Sequence, residues 1–394
     1  MPKLSVEQLD LQGKRVFLRA DLNVPLAGRG VADDTRLRAV LPTLQHCLKA
    51  GASVILASHL GRPQGKPDPR YSLAPVASRL EELLGQPVPL APDCVGEAVE
   101  NLARALKPGE CLLLENLRFH AGEEANDPAF AEALARLADC YVNDAFAASH
   151  RAHASIVALT QNLKPAAAGL LMRRELEALG QILDHPDRPL VAILGGAKVS
   201  DKLGLIHRLL GKVDCFLIGG AMAFTFLKAL GHDPGRSLVE PELVDQARQV
   251  LAQARARGIQ VGLPVDTVVA SGPESAEAVR TVNVRQIPPG LMGVDIGQVT
   301  LARFKEALRP ARTVIWNGPM GVFENPAFAT GTIELARAVA GSSAFTVVGG
   351  GDTVAAVHQA GVAEKIGYLS TAGGAFLEFL EGRELPGVDA LSEA

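Results

Sequence analysis

Short apolar runs that stop at a glycine or a polar residue, each followed by a helix-length segment, constrain this chain more than any other feature. The β-rich runs are RVFLRA (15–20), SVILAS (53–58), CLLLEN (111–116) and CYVND (140–144). LVAILGG (190–196), CFLIGG (215–220), TVIWNG (313–318), FTVVGG (345–350) and IGYLST (366–371) continue the series. Segments with helical spacing lie between them, at 35–51, 128–139, 242–258 and 328–341. Several end in Gly, as helix C-caps do. Strands that are apolar throughout and alternate with helices predict parallel sheets covered on both faces. A chain of 394 residues is too long for one core. Segment 163–189 breaks the strand rhythm with a long helix. The chain therefore reads as two doubly wound α/β, Rossmann-like domains, with a boundary near Gly169 to Met172.

Composition excludes several classes. A net charge of −4 with a pI near 6.2 argues against non-specific nucleic-acid binding. Aromatic residues at 4% also argue against base-stacking platforms. The five cysteines (Cys47, Cys94, Cys111, Cys140, Cys215) contain no C-x-x-C and fit neither a zinc site nor a disulfide framework. Buried free thiols in a reducing compartment are expected. The first residues are polar, with no signal-peptide core, and no apolar stretch approaches a membrane span. The expectation is a soluble cytoplasmic protein with no membrane and no nucleic-acid partner.

Open α/β sheets bind ligands outside the carboxyl ends of their strands. In the first half those ends are followed by Asp21 and Asn23; by His59, Gly61 and Arg62; by Arg118 and His120; and by His150, Arg151 and His153. Arg36 and Arg38 open the first helix beside the same edge. One arginine would read as a solvated surface charge, but cations from several strands converging on one rim make a site for a compact polyanion. Asp21 and Asn23 suit a ligand hydroxyl, which points to a small hydroxy-acid phosphate. His150-x-x-His153 as a metal pair lacks a Cys or acidic partner at ligand spacing.

The second half carries glycines where the first carries cations. Its strand-to-helix turns include Gly195-Gly196, Gly219-Gly220, Asn317-Gly318, GGGDT (349–353) and TAGGA (371–375). Ser200 is a plausible N-cap, with Lys198 and Lys202 flanking a helix start. Such turns can present bare N–H groups at helix N-termini and form a mostly neutral anion cradle suited to a nucleotide. A lone glycine run also fits a plain strand–turn–helix corner, so the weight rests on several turns sharing one edge. Asp352 is the expected Mg²⁺ partner, since Mg²⁺ favours one or two carboxylates plus phosphate oxygens. GRPQGKP (61–67) is one residue short of a P-loop and has Pro67 where Ser or Thr is needed. GGGDTV has Val354 in place of the final small residue of the dinucleotide fingerprint.

A small-anion site and a nucleotide site imply phosphoryl transfer, which depends on positioning and charge neutralisation. No base motif or nucleophile elbow is present, which fits an acceptor already ionised, such as a carboxylate. Arg36 and Lys198 could approach the transferring group from opposite sides, and the TAGGA turn could add backbone donors.

RADLNVP, SHLGRP, LLENLRF, VNDAF…HRAHAS, GGAKVSDK, GGAMAFTF, LPVD, WNGPMGVFE, GGGDT and GGAFLE occur in this order along nearly the whole chain. Together they resemble the phosphoglycerate kinase family. The resemblance implies that 1,3-bisphosphoglycerate and ADP give 3-phosphoglycerate and ATP, with Mg²⁺, in a monomer whose two domains face each other across a hinged cleft. It implies phosphoglycerate contacts at Asp21, Asn23, Arg36, His59, Arg62, Arg118 and Arg151, with Leu22, Leu60 and Gly61 adjoining. The implied nucleotide contacts are Lys202, Gly219, Gly220, Asn317, Glu324, Gly350, Gly351, Asp352 and Thr353. Arg36, Lys198, Gly373 and Gly374 match the transfer residues, and Asp352 the metal-linked carboxylate. The expected domains are 1–170 with 380–394, binding phosphoglycerate, and 171–379, binding nucleotide. Ala372 stands where the family usually has Gly, Ala20 stands where it has Val, and AFAAS (145–149) replaces A-F-G-T-A. A non-catalytic scaffold and a kinase for another small carboxylate are the competing readings. The intact Arg36, Lys198, Lys202 and Asp352 argue against the scaffold.

Overall fold

The structure, a computed structural model, describes residues 2–28, 30–276, 280–370 and 372–394, so Thr371 of the TAGGA turn lies outside the described residues. The chain divides into two units: Met1–Glu177 with Glu384–Ala394, and Ala178–Arg383.

The first unit is built on β1 (Arg15–Arg19), β2 (Ser53–Ala57), β3 (Cys111–Leu113), β4 (Cys140–Asn143) and β5 (Ala166–Ala168). Their spatial order is β3-β2-β1-β4-β5, and every pairing is parallel. Val16, Phe17 and Leu18 are wholly buried, because helices cover both faces of the sheet. Helix α1 (Thr35–Lys49) buries Leu37, Val40, Leu44 and Cys47, three or four residues apart, against Val16, Leu18, Val54 and Leu56. Each such leucine contributes roughly 1.5–3 kcal/mol. The helix ends where Gly51 takes φ +80° and Ala52 N–H donates to Cys47 O at 3.1 Å. Residues near the C-terminus complete this unit: Leu4 N–H donates to Ser392 O, and Ser392 N–H to Ala166 O, both at 2.8 Å.

The second unit contains β6 (Leu190–Leu194), β7 (Cys215–Ile218), β8 (Gln260–Gly262), β9 (Asp266–Ala270), β10 (Arg280–Asn283), β11 (Met292–Ile296), β12 (Thr313–Asn317), β13 (Phe345–Gly349) and β14 (Tyr368–Ser370). Six of them form a parallel sheet in the order β8-β7-β6-β12-β13-β14. Its core is anchored by the wholly buried Trp316, whose indole N–H donates to Gly318 O at 2.8 Å.

Three features depart from the expectation. Strands β9, β10 and β11 form a separate antiparallel sheet, whereas only parallel pairing was expected. The long helix is Leu170–Asp184, preceded by the short strand β5, whose three alanines carry no β-propensity signal. Ser200 caps no helix: the next begins at Leu203 behind Lys202, and Ser200 Oγ donates to Glu240 Oε1 at 2.6 Å. All five cysteines are buried free thiols, as expected, and burial pushes the Cys47 thiol up to about 12.

Candidate functional site

Each parallel sheet reverses its winding at one place, and ligands of such sheets bind there, at the carboxyl ends. In the first unit the reversal lies between β1 and β4. The segment after β1 is pinned through its neighbours. Leu22 N–H donates to Ser58 Oγ at 2.8 Å, and Asn23 Oδ1 accepts from Gly61 N–H at 2.9 Å. Asp21 Oδ2 accepts from Arg36 Nη1 at 2.6 Å. Asp21 was expected to meet a ligand hydroxyl, and here it orients Arg36, which remains about one-third exposed. Asn116 clamps the loop after β2, donating to Leu60 O at 2.7 Å. Arg118 Nη1 donates to Gly61 O at 2.8 Å.

His59 is buried beneath this rim. Burial, followed by the charges of Arg19, Arg118, Arg36 and His153, holds its pKa well below the usual range. Arg118 also has its pKa lowered by burial, with Arg151 and Arg19 adding repulsion and Glu124 opposing. These couplings bring Arg36, Arg118 and Arg151 into one cluster of cations around the buried His59. Arg62 stands exposed beside it, with no ion pair among the described residues. His150 and His153 gather no third metal ligand among the described residues. The cluster of that kind among the described residues is Asp93, Cys94 and His120, and His120 lies too far along the chain from the adjacent pair for the sequence to signal it. They already bond: His120 Nε2 lies 2.6 Å from Asp93 Oδ1, and Cys94 Sγ donates to Glu115 O at 2.9 Å.

In the second unit the winding reverses between β6 and β12. The glycines here act differently from the expectation. Gly195 N–H donates to Asn317 O, Gly196 N–H to Pro319 O, Gly219 N–H to Leu194 O and Gly220 N–H to Met320 O. Gly318 N–H donates to Thr353 Oγ1 at 2.7 Å. These amides are spent within the protein, so the first turns are not bare cradles. Their glycines let three backbones touch: a Cβ on Gly220 would sit 2.5 Å from Gly196 N and 2.9 Å from Pro319 O.

The GGGDT turn keeps the expected character. Helix α2 (Gly351–Gln359) starts there, and the N–H groups of Gly350, Gly351 and Asp352 donate to no other described residue. Asp352 is exposed. Lys202 is largely enclosed: burial lowers its pKa, opposed by Asp201, Glu381 and Asp352. Asn317 donates to Gly349 O at 2.7 Å, while its buried Oδ1 has no partner among the described residues. At the last turn Gly373 takes φ +50°, and Ala372, with the side chain, is buried and outside the positive-φ region. The alanine in place of glycine is therefore accommodated, because its neighbour takes the left-handed position. Lys198 stands exposed and forms no ion pair among the described residues.

A cleft of about 270 Å³ adjoins these turns, with Gly220, Phe224, Pro319, Val322, Glu324 and Asp352 among its walls. Its largely apolar lining, with Asp352 at one side, suits a flat base carrying an anionic tail. A larger hollow of about 460 Å³ touches Pro189, Asp214 and Gln260, at the amino ends of the strands, where such folds do not bind ligands. The cleft also touches Asp295, which sequence reasoning missed. Burial pushes its carboxyl up to about 7, although Gly331 and Ile296 donate to it at 2.7 and 2.9 Å. The folded state thus holds this proton above the unfolded pKa near 3.8. The stability linked to it is complete below pH 3.8 and is lost as pH rises towards about 7. The total is about 4 kcal/mol at 1.36 kcal/mol per pKa unit. Urea unfolding between pH 4.5 and 8 should show this decline, and Asp295→Asn should flatten it. An unchanged slope in that variant would reassign the proton.

The chain matches the family model described as phosphoglycerate kinase over residues 6–383. It is 54% identical over 401 residues to the phosphoglycerate kinase of Koribacter versatilis, covering 100% of both chains. It is 56% identical over 393 residues to that of Anaeromyxobacter dehalogenans, covering 99% of each. The solved phosphoglycerate kinase of Coxiella burnetii superposes with a TM-score of 0.91 at 43% identity, covering 99% of this chain and 98% of that one. For Pyrococcus horikoshii the TM-score is 0.85 at 36% identity, with 98% of each chain covered.

Proposed function

The chain belongs to the phosphoglycerate kinase family of glycolytic phosphotransferases, and from that premise we propose which groups bind and which transfer. The first unit binds 3-phosphoglycerate or 1,3-bisphosphoglycerate on Asp21, Asn23, Arg36, His59, Arg62, Arg118 and Arg151. The observation that supports this most is the convergence of Arg36, Arg118 and Arg151 around a buried, neutral His59 at the β1–β4 reversal. The second unit binds ADP or ATP, with the base in the cleft beside Gly220 and Glu324 and the phosphates towards Lys202 and the free amides of Gly350 and Gly351.

Asp352 fits a Mg²⁺ role through its donor chemistry: one exposed carboxylate beside unspent amides leaves the remaining positions to phosphate oxygens. When bound, Mg²⁺ would supply charge neutralisation on those phosphates. The acyl phosphate's bond to its carbonyl-side oxygen breaks as a β-phosphate oxygen of ADP bonds to the same phosphorus. The released carboxylate keeps the electron pair, so no proton has to move. Arg36, oriented by Asp21, and Lys198 neutralise charge on the group in flight. The N–H groups of Gly373 and Gly374 address its oxygens. Each well-placed donor of this kind is worth about 3–4 kcal/mol. Direct transfer requires the two sites to meet during turnover, so hinge-bending belongs to this proposal, as do a monomeric state and a cytoplasmic location. No helix among the described residues is long and apolar enough to cross a membrane.

A coupled assay tests the reading. ATP consumption should depend on both 3-phosphoglycerate and Mg²⁺. Turnover with another small carboxylate in place of 3-phosphoglycerate would change the substrate, and no turnover with any would favour a scaffold.

A further inference from the structure

Arg19 lies on β1, fully buried, and sequence reasoning gave it no role. Its Nη2 stands 3.2 Å from His59 Nδ1. A guanidinium can only donate, so Nδ1 must be the bare, accepting nitrogen of the ring. The other two arginine nitrogens also donate: Nε to Ser155 Oγ at 2.8 Å, and Nη1 to the carbonyl of Ala20. Ser155 Oγ donates onward to Glu123 Oε1 at 2.6 Å, and Ser155 N–H donates to Glu123 Oε2 at 2.9 Å. Glu123 is itself fully buried. Tyr141 fixes the same segment, its hydroxyl donating to Ser155 O at 2.8 Å. A buried cation therefore has a buried countercharge one hydroxyl away, and the chain of bonds ends on one particular nitrogen of His59.

We infer that Arg19, balanced by Glu123 through Ser155, locks His59 as the neutral Nε2–H tautomer, so that His59 serves bound phosphoglycerate as a fixed hydrogen-bond donor and not as a titrating cation. This rests on the proposed phosphoglycerate site. Arg19 and Glu123 are positioning residues. The charged groups facing His59 are Arg19 from β1, Arg36 from α1 and Arg118 from the turn after β3, joined by the titratable His153 from the segment after β4, itself pushed down to about 4 by burial, and all disfavour a second proton on His59. Glu123 is the one buried acid in this network, and its oxygens are engaged by Ser155, with His153 Nδ1 at 3.9 Å. A neutral donor suits a pocket already crowded with arginines, because a further positive charge there would repel them at every pH below its pKa. The ligand then receives a bond whose strength does not change as histidines elsewhere titrate.

Imidazole ¹⁵N NMR of the full chain tests the lock without any ligand. The His59 signals are assigned by their loss in His59→Asn and His59→Gln. Between pH 5.5 and 8 they should show a bare Nδ1 and a protonated Nε2, with no midpoint in that range. A protonated Nδ1, or a midpoint inside the range, would overturn the inference. The kinetic arm separates donation from packing. Glutamine keeps an N–H near the Nε2 position and forfeits the acceptor for Arg19, while asparagine does the reverse. His59→Asn should raise KM for 3-phosphoglycerate about ten-fold more than His59→Gln, with KM for ATP unchanged in both. Equal effects in the two variants would remove donation to the ligand. If the unaltered chain fails to turn over 3-phosphoglycerate, the substrate reading falls, while the spectrum still decides whether Arg19 sets the tautomer.

Discussion

Arg36→Ala is expected to lower turnover by about 10²–10³-fold, the usual loss when one preorganised donor to a developing charge is removed. The geometry explains why the loss should be in kcat. Arg36 opens helix α1, is about one-third exposed, and is aimed by a 2.6 Å bond to Asp21 Oδ2. Alanine removes the cation and leaves Asp21 facing the ligand with an uncompensated charge. KM for 3-phosphoglycerate should therefore rise as well, because a carboxylate would face a ligand anion. ADP affinity, proposed to reside in the other unit, should stay within two-fold, as titration calorimetry can show. Arg36→Lys should recover only part of the rate, since an ammonium lacks the planar fork that serves Asp21 and the phosphoryl group together. Near-normal turnover in Arg36→Ala would remove this residue from the transfer step.

Gly220→Ala is expected to be among the most damaging small substitutions in the second unit. The added Cβ would lie 2.5 and 2.6 Å from Gly196 N and O and 2.9 Å from Pro319 O, all backbone atoms. The residue also sits at φ +65°, where a side chain costs roughly 1–2 kcal/mol. Forced displacement in a packed region adds about 1–3 kcal/mol. A loss of about 3–4 kcal/mol in urea unfolding should be accompanied by a large drop in ADP affinity, since Gly196, Gly220 and Pro319 all border the cleft. Gly180→Ala is the matched control. It lies in the Leu170–Asp184 helix with nothing within 4 Å of the new methyl, and should be neutral or stabilising by up to about 1 kcal/mol. Equal stability in the two variants would contradict the close approach.

The parallel framework was legible because strands buried on both faces leave an unbroken apolar run: all nine anticipated runs contain a strand. The cation rim was legible for a related reason, since the rule about carboxyl ends turns chain position into spatial position. The antiparallel sheet was not. Strand β10 reads RTVN, mostly exposed, and carries no apolar run. The spent amides at Gly195, Gly196, Gly219 and Gly220 were also hidden, because sequence marks where a backbone is bare but not what comes to meet it. Arg19 and Glu123 escaped notice because a charged residue in a strand or beside a helix looks solvated until burial is known. Asp295 was missed for the same reason.

The closing of the first unit by Glu384–Ala394 has a consequence for synthesis. The second unit is one continuous stretch, Ala178–Arg383, whereas the first is assembled from two stretches that it separates. Asn143, at the end of β4, donates to Gly387 O at 3.2 Å, and Ser149 O accepts from Gly387 N–H at 2.8 Å. A nascent chain whose Gly387 is still inside the ribosomal tunnel cannot make these bonds. The half translated first is thus the half that finishes last, since its fold stays incomplete until Glu384–Ala394 has been made and has left the tunnel.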